Sequence, residues 1–183
     1  MFFKGLNYTH PINAAVIMTS TPILVLVVAS ILIKERITMT KTIGIAVGLA
    51  GTLMILLMGK QLSFGSNTFI GDLMVWVNAS SYGIYLVLVT PFMRKYHPIT
   101  VIKWIFLFGL LMVTPFGFEE MGRVECIIMP TNIIWAVLFV VVGLSFFAYS
   151  FNALALRYVN PSVVSTYIYL QPLFAASFAI VLG

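Results

Sequence analysis

The sequence predicts an all-α, polytopic helical membrane protein, and three observations carry that prediction. Apolar residues make up 61% of the 183-residue chain and charged residues only 8%, where a soluble domain carries about 25% Asp, Glu, Lys and Arg. The apolar residues fall into unbroken runs of about 20, the length that crosses ~30 Å of hydrocarbon as a helix. Between the runs lie short polar breaks: KERITMTK, KQLSFGSN, RKYHP, EEMGRVE and RYVNP. Too little charge is available to cover a globular surface, which excludes a soluble fold, a disordered tail and a nucleic-acid module. A membrane β-barrel would show short segments alternating apolar and polar, and the long runs do not.

Taken in order, six spans are predicted. The first, 11–33 (PINAAVIMTSTPILVLVVASILI), has proline at its start and again at Pro22. In the second, 42–59 (TIGIAVGLAGTLMILLMG), Gly44, Gly48 and Gly51 form a stripe of small residues. Such a stripe lets a neighbouring helix approach closely; packing within the fold is its expected use and a homodimer the competing one. The third, 69–93, starts beside Asp72 and carries Trp76, Asn78, Tyr82 and Tyr85 at spacings expected to share much of one helix face. The fourth, 99–118, has Lys103 near its start, placed to snorkel to the interface. The fifth, 132–156, and the sixth, 161–183, flank RYVNP. Short links make neighbouring spans antiparallel, in one bundle with no separate soluble domain.

Charge sets the orientation. Lys34, Arg36, Lys41, Arg94, Lys95, Lys103 and Arg157 fall on one side of the bundle, whereas Lys4, Lys60 and Arg123 fall on the other with Glu119, Glu120 and Glu125. Basic loops stay cytoplasmic, so loops 34–41 and 94–98 are expected inside and the acidic loop outside. The net charge of +5 therefore marks topology, not nucleic acid. No cleavable signal peptide is legible in MFFKGLNYTHP, and the single Cys126 cannot form an intramolecular disulfide.

The chain also repeats itself. At a shift of 150 residues, Leu6, Tyr8, Pro11 and Pro22 match Leu156, Tyr158, Pro161 and Pro172, and Ala29 and Leu32 match Ala179 and Leu182. Each copy starts Leu-x-Tyr-x-x-Pro and places a second proline eleven residues later. Pro22 and Pro172 each remove a helical hydrogen bond and bend their spans. A period of five spans is odd, so the second copy would enter the membrane from the opposite face. That is an inverted repeat, which secondary transporters use to hold a solute site between related halves. The expected whole has about 300 residues and ten helices, five plus five, by the logic of repeats. On this reading residues 1–60 end a first copy and 69–183 are most of a second, so the chain is expected to be a fragment.

These residues resemble the EamA-type transporters of the drug/metabolite transporter superfamily. The resemblance rests on GLNYTHPINAAVIMTSTPILVLV, then KERITMTK with Glu35, Arg36 and Thr38, then GIAVGLAGTLMILLMG. In the second half it rests on GDLMVWVNASSYGIYLVL and LSFFAYSFNALALRYVNPSVVSTYIYLQP, with Gln171 where the family often has Glu. It implies a multi-pass carrier of the plasma or inner membrane that exports or exchanges small metabolites or drugs, working in a lipid bilayer without cofactor or metal.

The polar and aromatic residues within spans are the candidates for lining a solute cavity: Asn13, Thr21, Trp76, Asn78, Tyr82, Tyr149, Asn152, Tyr167 and Gln171. They supply hydrogen bonds and aromatic walls suited to a small amphipathic solute; their alternative use is to join helices. All five carboxylates lie in loops or at a helix end, so no mid-span proton-coupling group is legible. His10 and His97 are solitary, which gives no metal site. Serines without a histidine partner, and the lack of paired carboxylates, speak against an enzyme. A non-transporting assembly subunit or an inactive fragment is the alternative function.

Overall fold

A computed structural model describes residues 2–57, 68–121 and 130–182. Lys60, Arg123, Glu125 and Cys126 lie outside the described residues. Every regular element among those described is helical: α1 (Phe2–Leu6), α2 (Pro11–Met18), α3 (Thr21–Leu32), α4 (Met39–Leu57), α5 (Phe69–Lys95), α6 (Pro98–Met121), α7 (Thr131–Phe139), α8 (Tyr149–Tyr158), α9 (Pro161–Thr166) and α10 (Gln171–Leu182). Five stretches are long and apolar enough to cross a bilayer: Pro11–Leu32, Met39–Leu57, Phe69–Lys95, Pro98–Phe118 and Thr131–Tyr158. They make this a helical membrane protein. Large apolar side chains stand on the outside, Phe116 at 85% exposure among them, as contact with lipid tails requires.

The sixth expected span is corrected. Residues 161–182 are helical but divided, with a 3₁₀ stretch at Tyr167–Leu170 between α9 and α10. Pro172 is the reason: its nitrogen cannot donate to the carbonyl of Ile168, so the turn before it tightens. The first copy does the same at the same register. There α2 ends at Met18, and Thr19 and Ser20 form a turn before Pro22. The hydroxyls of Thr19 and Ser20 donate to Val16 O at 2.6 Å and Ile17 O at 2.7 Å. The two starts also agree. His10 (φ −77°, ψ 142°) and Asn160 (φ −75°, ψ 150°) are extended residues before a proline at the first helical turn, where its missing N–H costs nothing.

The fifth expected span is continuous from Thr131 to Tyr158, but residues Val140–Ala148 are π-wound between α7 and α8. Three successive β-branched valines followed by Gly143 weaken the i→i−4 pattern there.

The chain forms two compact units, with the boundary inside α5: Met1–Val89 with Val159–Gly183, and Thr90–Tyr158. In the first, α3 packs against α9, while α4 packs against α2, α9, the 3₁₀ stretch and α10. Leu26, Ile45 and Tyr169 form a buried cluster with Leu49 against it. Gly83 of α5 admits α3, since a Cβ there would lie 3.3 Å from Val25 Cγ2 and 3.8 Å from Thr21 Cγ2. The α3–α4 loop turns at Lys34 (φ 53°), after which the Glu35 N–H donates to Ala29 O at 3.1 Å. In the second unit, α6 packs on α8. Phe106 stacks on Phe146 and meets Tyr149 edge-on, both at 6.5 Å between ring centres.

Candidate functional site

The interrupted segments collect the buried polar groups. Asn13 on α2 and Thr21 at the start of α3 are fully buried. Thr21 Oγ1 has no hydrogen-bond partner among the described residues, although a serine or threonine in a helix can usually donate back to its own backbone. On α5, Asn78, Tyr82 and Tyr85 follow one another at helical spacings of four and three, all half-buried. The rings of Tyr82 and Tyr85 stack at 6.2 Å. Trp76 stands apart from this face and is 47% exposed. Tyr167 and Gln171 are exposed on the interrupted segment beside Pro172. Tyr149 and Asn152 belong to the second unit, Tyr149 against Phe106 and Asn152 half-buried.

The glycine stripe divides. A Cβ at Gly48 would fall 2.5 Å from Tyr169 Cδ2, so only glycine leaves room for that ring. At Gly44 and Gly51 nothing lies within 4 Å. One turn beyond Gly48, Thr52 Oγ1 donates to Tyr169 O at 3.2 Å. Sequence reasoning passed over Tyr169. Its signal was the small residue at position 48, which calls for a large partner but does not say which one.

Two further features escaped the sequence reading. Glu35, in the basic loop, has a side chain only 4% exposed and pairs with Lys41 at 2.7 Å. Its second oxygen, Oε2, is buried without a hydrogen-bond partner, while Lys41 Nζ also donates to Arg36 O at 3.3 Å. On the far side of the same unit, Thr9 Oγ1 donates to Asp72 Oδ1, and the backbones of Gly5 and Gly71 touch. Gly5 just ahead of the first span and Gly71 at the start of the third were the visible signal.

Among the described residues, no group of three His, Cys, Asp or Glu stands close enough to hold a metal ion. An open apolar groove of about 380 Å³ is lined by Asn132, Ile133, Ala136, Val137, Val140 and Val141. All six come from one helix and none is a candidate residue, so the groove fits a lipid tail better than a solute. Close to the helix interruptions the candidate residues of the first unit offer uncharged chemistry: hydroxyls, amides and aromatic faces.

The profile of the EamA-like transporter family matches residues 1–57 and 69–183. An uncharacterized transporter of Archaeoglobus fulgidus is 28% identical over 97% of this chain and 60% of its own length. The uncharacterized transporter YyaM of Bacillus subtilis is 25% identical over 94% of this chain and 57% of its own. A solved crystal structure, 20% identical, superposes with a TM-score of 0.78 over all of this chain and 61% of that one, which shows a shared fold. The chain thus spans about 60% of the length of the relatives it matches.

Proposed function

This chain belongs to the EamA-like transporter family, and on that premise we propose that it forms part of a secondary carrier for small metabolites or drugs. The carrier works by alternating access, exporting or exchanging its solute across a plasma or inner membrane. One observation carries the reading: two proline-interrupted segments, 150 residues apart in register, meet where α3 packs on α9. Interrupted helices at the junction of related halves are where carriers hold their solutes. Rocking of the halves, in a ten-helix five-plus-five whole, exposes that junction to each face in turn.

The solute contacts fall to Asn13, Thr21, Asn78, Tyr82 and Gln171, all in the first unit, with Tyr167 as an aromatic wall. Hydroxyls and amides orient a polar group, and the rings hold an apolar body. Purified whole protein in liposomes, assayed by counterflow with radiolabelled amino acids and a fluorescent amphipathic dye, tests this. Asn78→Leu and Gln171→Leu are each expected to cut flux at least about tenfold while leaving the amount of folded protein unchanged. Unaltered flux in both would remove the site assignment. A protein that moves none of these probes but co-purifies in fixed ratio with another membrane protein would favour an assembly role.

Orientation is checked separately. Single cysteines placed at Arg36 and His97 in a Cys126→Ser background are expected to react with a membrane-impermeant maleimide in inside-out vesicles only. Reaction in right-side-out vesicles would invert the topology.

A further inference from the structure

We propose that the basic end of the second unit, Thr90–Tyr158, binds the headgroup of an anionic phospholipid, seated between the α5–α6 turn and the end of α8. The inference stands apart from the carrier reading. Three cations at this end each lie over the ring of the next residue in the chain. Lys95 Nζ is 5.5 Å from the ring centre of Tyr96, Lys103 Nζ is 6.0 Å from that of Trp104, and Arg157 Cζ is 6.0 Å from that of Tyr158. All six side chains are exposed. A ring face attracts a cation but carries no net charge, so each charge is held in place without being neutralised. Lys41 shows the contrast, since the Glu35 carboxylate cancels its charge at 2.7 Å. The sequence has no Asp or Glu in 90–118 or 126–158, and Glu119 and Glu120 stand at the opposite end of α6.

Packing brings these cations together. Phe106 of α6 meets Tyr149 of α8 edge-on at 6.5 Å, which sets the two antiparallel helices in register. Eight residues back from Phe106 stands Pro98, and eight on from Tyr149 stands Arg157. Arg157 is therefore level with the start of α6 and with the turn that carries Lys95. Lys103 lies about 7 Å deeper along α6, from the helical rise per residue. Two cations at the membrane surface and one just beneath it match a lipid phosphate and the ester region below. Trp104, Phe106 and Phe151 expose apolar faces alongside, where the acyl chains lie. The preference of basic loops for one face of the membrane accounts for charge at this end. It does not account for a ring under each cation or for a lysine inside a span. Basic surfaces between spanning helices are where anionic headgroups lodge.

The test uses whole protein in a mild detergent, offered equal amounts of phosphatidylglycerol and phosphatidylcholine with the same acyl chains. Native mass spectrometry reads which lipid is retained. Phosphatidylglycerol is expected in about tenfold excess. Lys103→Gln combined with Arg157→Gln is expected to bring the ratio near one at an unchanged melting temperature. Lys34→Gln combined with Arg36→Gln removes two cations from the basic loop of the first unit and is expected to leave the ratio as it was. An even ratio in the unaltered protein overturns the proposal. So does an equal loss in both variants, which would mean diffuse charge and no site. Displacement of the lipid by millimolar glycerol phosphate would make this a site for a soluble anion and also overturn it. If the Lys103 and Arg157 variant does not fold, a photoreactive phosphatidylglycerol crosslinked to unaltered protein decides the matter. Peptides from 94–108 and 150–158 are expected to carry the label, and labelling elsewhere alone overturns the assignment.

Discussion

Gly48→Leu is expected to destabilise the protein by about 3 kcal/mol, at the upper end for overpacking a filled site. The cause is local. A Cβ at position 48 already falls 2.5 Å from Tyr169 Cδ2 and 3.2 Å from its Cγ, so a larger side chain has to expel the ring from between Leu26, Ile45 and Leu49. Expelling it also strains the bond from Thr52 to Tyr169 O. Gly44 and Gly51 are the internal controls, with open space where a side chain would stand. Alanine at either is expected to be neutral or to gain up to about 1 kcal/mol from helix propensity. Unfolding in detergent measures all three. Should leucine at 44 prove as damaging as at 48, the outer face of the stripe is packed too, and the homodimer use of these glycines gains support.

Lys41→Met should cost about 3 kcal/mol, the scale for leaving one member of a buried ion pair alone. Glu35 is the reason, because its side chain is 4% exposed and Lys41 is its ion-pair partner. Removing the ammonium strands a carboxylate whose other oxygen already lacks a partner. The double variant Glu35→Gln, Lys41→Met is expected to recover most of the loss, since an amide tolerates that position without a counter-charge. A double-mutant cycle by unfolding gives the coupling directly. Equal stability of Lys41→Met and the unaltered protein would show that water reaches Glu35 and that the pair is ornamental.

Much of this fold was legible in the chain because the bilayer enforces simple rules. Helices must satisfy their own backbone where no water is present, so long apolar runs translate into spans. Pro22 and Pro172 announced where helices break, since a missing N–H acts on its own turn whatever lies nearby. Those breaks appear at Thr19–Ser20 and at Tyr167–Leu170. The 3₁₀ winding at Tyr167–Leu170 was not foreseen, because a proline announces a bend and not the winding of the turn before it.

The candidate residues were legible as types but not as partners. Asn78, Tyr82 and Tyr85 share a face because helical spacing is a property of sequence, whereas Trp76, expected on that face too, stands away from it at 47% exposure. Which glycine meets Tyr169 could not be read, as the contact joins residues 121 apart in the chain. The burial of Glu35 follows from a loop turned by a left-handed Lys34, a conformation that no motif specifies.

The sequence by itself determined the membrane class, the long apolar runs and the proline breaks, all of which depend on local chemistry and on the solvent around the chain. Only the tertiary structure decided which small residues are filled, which carboxylate is sealed from water, and where two glycines bring distant backbones into contact. Those outcomes depend on pairs of residues far apart in the chain, and a pairing is fixed by packing the whole bundle rather than by either partner's identity.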